Sequence, residues 1–88
     1  MLGDGSRVRV AEDPITIGRS PDCDVFLSAK EVSRHHAEVR RDDDGFLLVD
    51  LGSMNGTQVN GAGVKERRLA DGDEITLGRT VALRFELE

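Results

Sequence analysis

Three short polar segments of this sequence carry side chains that can hold a phosphate group. They are Gly18-Arg19-Ser20, Ser33-Arg34-His35-His36 and Ser53-Met54-Asn55-Gly56-Thr57. A guanidinium group can bind two phosphate oxygens at once, a hydroxyl adds a donor, and a carboxamide can both donate to and accept from a peptide backbone. Each segment adjoins a strand-like run, so all three could meet on loops at one end of a β-sandwich. The donor set therefore indicates a site for a phosphorylated threonine and the peptide beside it.

Alternation of apolar and polar residues predicts that short β-strands position these segments. The pattern is clearest at the C-terminus, where one face carries Val81, Leu83, Phe85 and Leu87. Similar runs occupy residues 6–11, 15–17, 37–40 and 46–49. Each run is long enough for one short strand with a single buried face.

Turn-forming residues separate these runs. The cluster at residues 42–45 predicts one hairpin, and Asn60-Gly61, which tolerates positive φ at both central turn positions, predicts a second. Asp71-Gly72-Asp73 predicts a third turn. The one helical candidate, residues 64–70, is too short for a stable helix without strong caps and is expected to be extended or turn-like. Eight or more short strands with frequent turns indicate an all-β, antiparallel sandwich.

Composition excludes several classes of function. The 88 residues suffice for one small domain, assigned here to residues 1–88. A net charge of −5 opposes attraction to a nucleic-acid backbone, and three Phe without Tyr or Trp offer few rings for base stacking. Cys23 is the single cysteine, which favours a reducing compartment. Without a membrane-length apolar run or a signal peptide, the expectation is a cytoplasmic domain with no nucleic-acid or membrane partner.

The sequence lacks the common metal-binding and cofactor-binding motifs. The acidic residues 42–44 lack the alternating ligands and the distant glutamate of a calcium-binding EF-hand loop. The sequence has no P-loop, no dinucleotide fingerprint and no zinc-ligand spacing. No metal or cofactor is therefore expected.

Five motifs in order give the chain a family resemblance from about Ile15 to Leu83. They are Ile17-Gly18-Arg19, Ser33-Arg34-His35-His36-Ala37, Asp50-Leu51-Gly52-Ser53-Met54-Asn55-Gly56-Thr57, Val59-Asn60-Gly61 and Leu69-Ala70-Asp71-Gly72-Asp73-Glu74-Ile75. With these motifs the chain resembles the forkhead-associated (FHA) domain. The resemblance implies an eleven-stranded β-sandwich of the FHA/SMAD-like kind, whose apical loops bind phosphothreonine peptides. The family usually has a full first strand before Gly3, so the first strand here is expected to be truncated and the domain to be excised from, or part of, a larger protein.

The resemblance also implies a role for each matching residue. Phosphate contact falls to Arg19, Ser33 and Arg34. Asn55 would hold the peptide backbone next to the phosphothreonine. The loops would be supported by Gly18, where the backbone turns, by His36, bonded to loop backbone, and by Gly56. Met54 and Glu31, near the apex, are candidate contacts to residues flanking the phosphothreonine.

Met54 departs from the family pattern. Many members carry threonine at this position, where the hydroxyl adds a phosphate contact that a thioether cannot replace. The flexible Met54 side chain would instead suit an apolar surface. The expected partner is a threonine-phosphorylated protein, either a substrate of a Ser/Thr kinase or such a kinase itself.

Two other classes of function remain open in the sequence. One is an enzyme in which Ser33, His36 and Asp50 form a hydrolase-like trio, although no strand-to-helix nucleophile elbow is present, so we expect no enzyme. The other is a phosphate-independent scaffold or intramolecular regulatory domain that binds a partner through a face of the sandwich. The first would require Ser33 and His36 within hydrogen-bond reach and facing solvent together.

Overall fold

The structure, a computed structural model, describes residues 4–8 and 14–86. The described residues form ten β-strands. In chain order these are β1 (Asp4–Val8), β2 (Ile15–Gly18), β3 (Val25–Phe26), β4 (Ala37–Asp42), β5 (Gly45–Asp50), β6 (Thr57–Val59), β7 (Ala62–Gly63), β8 (Glu66–Leu69), β9 (Glu74–Leu77) and β10 (Val81–Phe85). The described part of the chain contains no helix long and apolar enough to cross a membrane.

The strands form two five-stranded sheets, with the orders β1-β10-β9-β6-β7 and β3-β2-β4-β5-β8. The predicted sandwich is confirmed, and its pairings are antiparallel except for β1 with β10 and β2 with β3. Ten described strands compare with the eleven that the resemblance implied. The truncated first strand was expected at residues 1–2, which lie outside the described residues, as does Leu87.

The predicted turns close the hairpins. The turn between β4 and β5 pairs Asp42 with Gly45, and the Asp44 N–H donates to Asp42 Oδ1 over 2.9 Å. Between β6 and β7, Asn60 and Gly61 both adopt positive φ, at 52° and 87°. The segment predicted to be extended, residues 64–70, contains β8 and no helix.

A hydrophobic core lies between the sheets, formed by alternate residues of the strands as the sequence pattern predicts. Its fully buried members include Ile17, Val39 and Leu48 from one sheet and Ile75 and Leu83 from the other. The sheets also meet at an aromatic pair, with the rings of Phe46 and Phe85 5.4 Å apart in an edge-on arrangement. Burial of these side chains stabilises the sandwich that carries the loops.

The two ends of the sandwich differ in construction. The apex consists of the loops at residues 19–24, 27–36 and 51–56 together with the turn at residues 78–80. The far end consists of the turns at residues 43–44, 60–61 and 70–73. Leu27 and Val32, both buried, anchor the longest apical loop in the core. The loop backbone is therefore held in place beneath its polar, exposed surface.

Candidate functional site

The three polar segments identified in the sequence meet at the apex. The Arg19 N–H donates to the Ser33 carbonyl and the Ser20 N–H donates to the Arg34 carbonyl, each at a distance of 3.0 Å. The Met54 N–H donates to Ser33 Oγ, also over 3.0 Å. These bonds join residues far apart in the sequence, so the candidate site exists only in the folded chain.

Gly18 allows the first two segments to approach each other closely. A Cβ atom at this position would lie 2.1 Å from the Arg34 carbonyl oxygen and 3.1 Å from Cys23 Sγ. Its φ is outside the positive range that other glycines of this chain adopt. The sequence reasoning explained Gly18 by a backbone turn, but the structure shows that the requirement is space for the neighbouring backbone.

Arg19 is exposed, and a hydrogen bond from its Nε orients the guanidinium. Its Nε donates to the Val32 carbonyl over 2.9 Å. Neither terminal amino group of Arg19 has a partner among residues 14–86, so both can donate to an incoming anion. A guanidinium held in this way can make a two-pronged contact with phosphate oxygens.

Ser33 lies beside Arg19, and its hydroxyl accepts one hydrogen bond but donates none to the described residues. The oxygen accepts the Met54 N–H, whereas the hydroxyl proton has no acceptor among the described residues. Ser33 can therefore accept from the third segment and donate to a ligand at the same time. The Met54 side chain is 89% exposed at the tip of its loop, where a ligand could reach it.

His36 is completely buried under the loops and bonds only to backbone. Its Nδ1 accepts from the Ser33 N–H over 3.0 Å, so Nε2 carries the proton and donates to the Gly56 carbonyl over 2.8 Å. One neutral ring thus ties the second segment to the third. Gly56, with φ of 87°, also accepts the Gly78 N–H through the same carbonyl.

Asp50 organises the loop that carries Asn55. Oδ1 accepts the N–H groups of Gly52 and Ser53, and Oδ2 accepts the hydroxyls of Ser53 and Thr57, with all four distances between 2.6 and 2.8 Å. Partial burial raises the pKa of Asp50, but these hydrogen bonds outweigh it and keep the pKa below its ordinary value.

Sequence reasoning did not assign this supporting role to Asp50. A signal was nevertheless present, because an aspartate that precedes Gly52 and Ser53 at this spacing is typical of an Asx turn. The carboxylate holds the loop, and the Asn55 side chain stays exposed.

Asn55 and Glu31 contact each other across two apical loops. Asn55 Nδ2 donates to the Glu31 carbonyl over 3.0 Å, and its Oδ1 has no donor among the described residues. The Glu31 carboxylate, suggested by the sequence as a contact for the ligand, lies against the turn at residues 78–80. There Oε2 accepts from Thr80 N–H and Oγ1 over 2.7 and 2.6 Å.

Arg34 is exposed, and its backbone is held by residues of the first loop. Besides the Ser20 N–H, its carbonyl accepts from Cys23 Sγ over 3.3 Å. Burial and the neighbouring Asp22 charge raise the pKa of the Cys23 thiol, which favours this donating form. His35 is exposed, and its Nε2 lies 3.4 Å from Asp22 Oδ1.

No sequence motif predicts that Asp22, Cys23 and His35 lie close together. Their potential metal-ligand atoms lie within 4.8 Å of one another. The hydrogen bond from Cys23 to the Arg34 carbonyl and the contact of His35 Nε2 with Asp22 Oδ1 account for this proximity. Both contacts brace the turn that carries Arg34.

The hydrolase-like trio considered from the sequence is not assembled. Both His36 ring nitrogens bond to backbone, and the Asp50 carboxylate bonds to loop donors. The Ser33 hydroxyl oxygen accepts from Met54. The arrangement therefore supplies anion-binding donors rather than a base beside a nucleophile.

Known proteins are similar in sequence to most of this chain. The family profile described as FHA domain matches residues 15–78. An oxoglutarate dehydrogenase inhibitor of Corynebacterium jeikeium is 45% identical over 75 residues, which are 85% of this chain and 52% of the relative. The glycogen accumulation regulator GarA of Mycolicibacterium smegmatis is also 45% identical over 75 residues, which are 85% of this chain and 48% of that protein. The chain thus spans about half the length of these curated relatives.

Solved structures agree with the sequence match. A chain from a structural and functional analysis of phosphothreonine-dependent FHA domain interactions is 49% identical with a TM-score of 0.74, covering 78% of this chain and 72% of that one. The FhaA FHA domain, crystallised in complex with the intracellular domain of Rv3910, is 48% identical with a TM-score of 0.75, covering 81% of this chain and 78% of that one. With its sandwich, its apical motifs and these matches, the chain belongs to the forkhead-associated (FHA) domain family.

Proposed function

We propose that this FHA domain binds proteins phosphorylated on threonine, with Arg19 and Ser33 on the phosphate. The observation that carries the proposal is the pair of unused donor groups at the apex, namely the terminal amino groups of Arg19 and the hydroxyl proton of Ser33. The backbone of both residues is held by long-range hydrogen bonds, so the loops need little further ordering when a ligand binds.

Charge supports a local phosphate site. A phosphothreonine carries about −1.5 to −2 charge and three acceptor oxygens, and can engage several donors at once. The chain as a whole has a net charge of −5, so attraction must come from these few groups. An aspartate in place of the phosphothreonine offers less charge and fewer oxygens, and we expect such mimics to bind poorly.

Arg34 and Asn55 complete the proposed site. The exposed Arg34 is a second cation beside Ser33 and would add a contact to phosphate or to the ligand backbone. Asn55 would bond to the peptide backbone through its free Oδ1, which would fix the register of an extended ligand. Met54, at the loop tip, would contact apolar ligand residues.

The partner is proposed to be a protein phosphorylated by a Ser/Thr kinase, or such a kinase itself. Relatives that share half of their length with this chain are described as a regulator and an inhibitor, which fits control of another protein by binding. We expect the interaction in the cytoplasm, where kinases have ATP, and we propose no catalytic activity.

An oriented phosphothreonine peptide library with unphosphorylated controls tests the proposal. We expect retention of phosphorylated peptides only, together with a preference at flanking positions. Phosphoserine peptides should bind about fourfold more weakly, because burial of the threonine methyl contributes about 0.8 kcal/mol. Equal retention of unphosphorylated peptides would instead favour the phosphate-independent scaffold.

Arg19→Ala tests the assignment of the phosphate contact. Removing the cation should weaken binding of the selected phosphopeptide by about 2–5 kcal/mol, measured by titration calorimetry. Arg84→Ala, which removes another exposed arginine, from β10, is the matched control and should leave affinity unchanged. Equal effects of the two substitutions would refute the role of Arg19.

A further inference from the structure

Glu31 occupies the point where three parts of the apex meet. Its Oε2 accepts four hydrogen bonds from the turn that follows β9 and from the first residue of β10. The donors are the Thr80 hydroxyl at 2.6 Å and the N–H groups of Thr80, Val81 and Arg79 at 2.7, 3.1 and 3.3 Å. One carboxylate oxygen thus holds the end of the turn at residues 78–80 and the first residue of β10.

The backbone of Glu31 contacts the loop on its other side. Its carbonyl accepts from Asn55 Nδ2 over 3.0 Å. The turn also packs tightly on Glu31, since a Cβ atom at Gly78 would lie 2.9 Å from Glu31 Cβ and Cγ. The Gly78 N–H in turn donates to the Gly56 carbonyl, next to Asn55. Turn, Glu31 and Asn55 therefore form one connected unit.

We infer that Glu31 is a positioning residue for the ligand, which acts through Asn55 without touching the phosphate. Its carboxylate fixes the turn, the turn and carbonyl fix the Asn55 carboxamide, and the free Asn55 Oδ1 then points to one register of bound peptide. This inference rests on the proposed function, because Asn55 is taken as the residue that holds the peptide backbone. In this role Glu31 strengthens phosphopeptide binding, whereas a negative charge near a phosphate would by itself weaken binding.

That difference in sign makes the inference testable. If Glu31 acted only through its charge, Glu31→Ala would strengthen binding of an anionic peptide or leave it unchanged. As a positioning residue, its loss should weaken binding of the selected phosphothreonine peptide on the order of tenfold. Glu66→Ala, which removes an exposed carboxylate from β8, is the charge control and should not weaken binding.

A double-mutant cycle with Asn55→Ala locates the effect. If Glu31 works through Asn55, Glu31→Ala should change affinity by less than about twofold when Asn55 is already alanine. Glu31→Gln, which keeps an acceptor for the turn, should restore affinity to within about threefold of the wild-type value. Fully additive effects of the two alanine substitutions would overturn the inference.

NMR of the ligand-free domain separates this inference from the proposed function. The Asn55 side-chain amide signals should shift in Glu31→Ala and stay near their wild-type positions in Glu31→Gln. Hydrogen bonds from the Thr80 hydroxyl and N–H keep the pKa of Glu31 below its ordinary value. The Thr80 amide signal of the wild type should therefore titrate below about pH 4.3, the ordinary glutamate pKa. The same signal should not titrate in Glu31→Gln. Unchanged Asn55 signals in Glu31→Ala would overturn the inference. Failure of the wild type to bind any phosphopeptide, with the Asn55 signals shifted as expected, would refute the proposed function and leave only the positioning of the Asn55 side chain by Glu31.

Discussion

The apex and the far end of this sandwich are held together in different ways. At the far end, the Asp44 N–H bonds to Asp42 two residues away, and the Ala70 N–H bonds to Asp73 three residues away. At the apex, the side chain of His36 reaches a residue 20 positions along the chain, and that of Glu31 reaches residues 48 to 50 positions away. One far-end turn also bonds to another, since Asn60 Nδ2 donates to Asp73 Oδ1 13 positions away. The side chains at the apex reach farther along the sequence, and each apical loop depends on the others.

This difference explains where a binding function can reside. Loops that share long-range polar contacts hold exposed donors in fixed positions, as a preorganised binding site requires. It also makes the apex sensitive, since one substitution displaces several loops. Substitutions at the far end should cost stability without changing ligand affinity.

A matched pair of glycine substitutions should give the largest contrast. Gly18→Ala places a Cβ atom against the Arg34 carbonyl and should destabilise the domain by about 3 kcal/mol while displacing Arg19 and weakening phosphopeptide binding. Gly61→Ala forces alanine into positive φ with open space around it, and should cost about 1–2 kcal/mol without loss of affinity. Urea unfolding and peptide titration measure both effects. Equal losses of affinity would show that the two ends are not distinct.

A second pair concerns the carboxylates that hold loops at the two ends. Asp50→Asn replaces the acceptor of four hydrogen bonds in the Asn55 loop and should cost about 2 kcal/mol of unfolding free energy, with weaker phosphopeptide binding. Asp73→Asn disturbs the far-end bonds to Ala70 and Asn60 and should lower stability alone. Retained affinity in Asp50→Asn would contradict the assigned role of this loop.

Both carboxylates also predict an acid dependence of stability. Burial raises the pKa of Asp50, but its hydrogen bonds with Ser53 and Thr57 outweigh burial and lower the native pKa. The native pKa of Asp73 is also lowered, mainly because its carboxylate accepts a hydrogen bond from the Ala70 N–H. Their stabilisation is complete above the ordinary aspartate pKa of about 3.9 and is lost as the pH falls through the lower native values. Unfolding measured from pH 6 to pH 2 should show a shallower acid loss in each Asn variant than in the wild type.

The smallest effect is expected at Met54. Because this side chain is 89% exposed, Met54→Thr should not change stability, but the new hydroxyl could donate to phosphate and raise affinity by about 0.5–1.5 kcal/mol. Met54→Ala separates loss of the thioether from gain of the hydroxyl. If Met54→Ala and Met54→Thr bind equally, the added hydroxyl makes no phosphate contact.

The sequence predicted most of the fold because the relevant signals are local. Alternation over residues 81–85 identified β10, and Asn60-Gly61 identified a hairpin whose two central residues do adopt positive φ. The parallel pairing of β1 with β10 was not predicted, because it joins residues more than 70 positions apart. Periodicity identifies a strand and its buried face but not its partner.

For the site, the sequence predicted only the residues that belong to recognisable motifs. Arg19, Ser33 and Asn55 stood out through the family resemblance, and their use by a ligand stays a prediction. The supporting role of Asp50 and the direction of the Glu31 side chain depend on which loops meet. No local pattern indicates the role of the Glu31 side chain, since its partners Thr80 and Val81 lie 49 and 50 positions away.

The central claim is that the apex, and not the far end or a sheet face, reads phosphothreonine. The most direct test is to follow backbone amide signals by NMR while adding a phosphothreonine peptide or its unphosphorylated twin. We expect shifts confined to residues 18–20, 31–36 and 53–56 and to the turn at residues 78–80, with the phosphorylated peptide only. Equal shifts with both peptides, or shifts centred on residues 43–44 and 60–61, would contradict it.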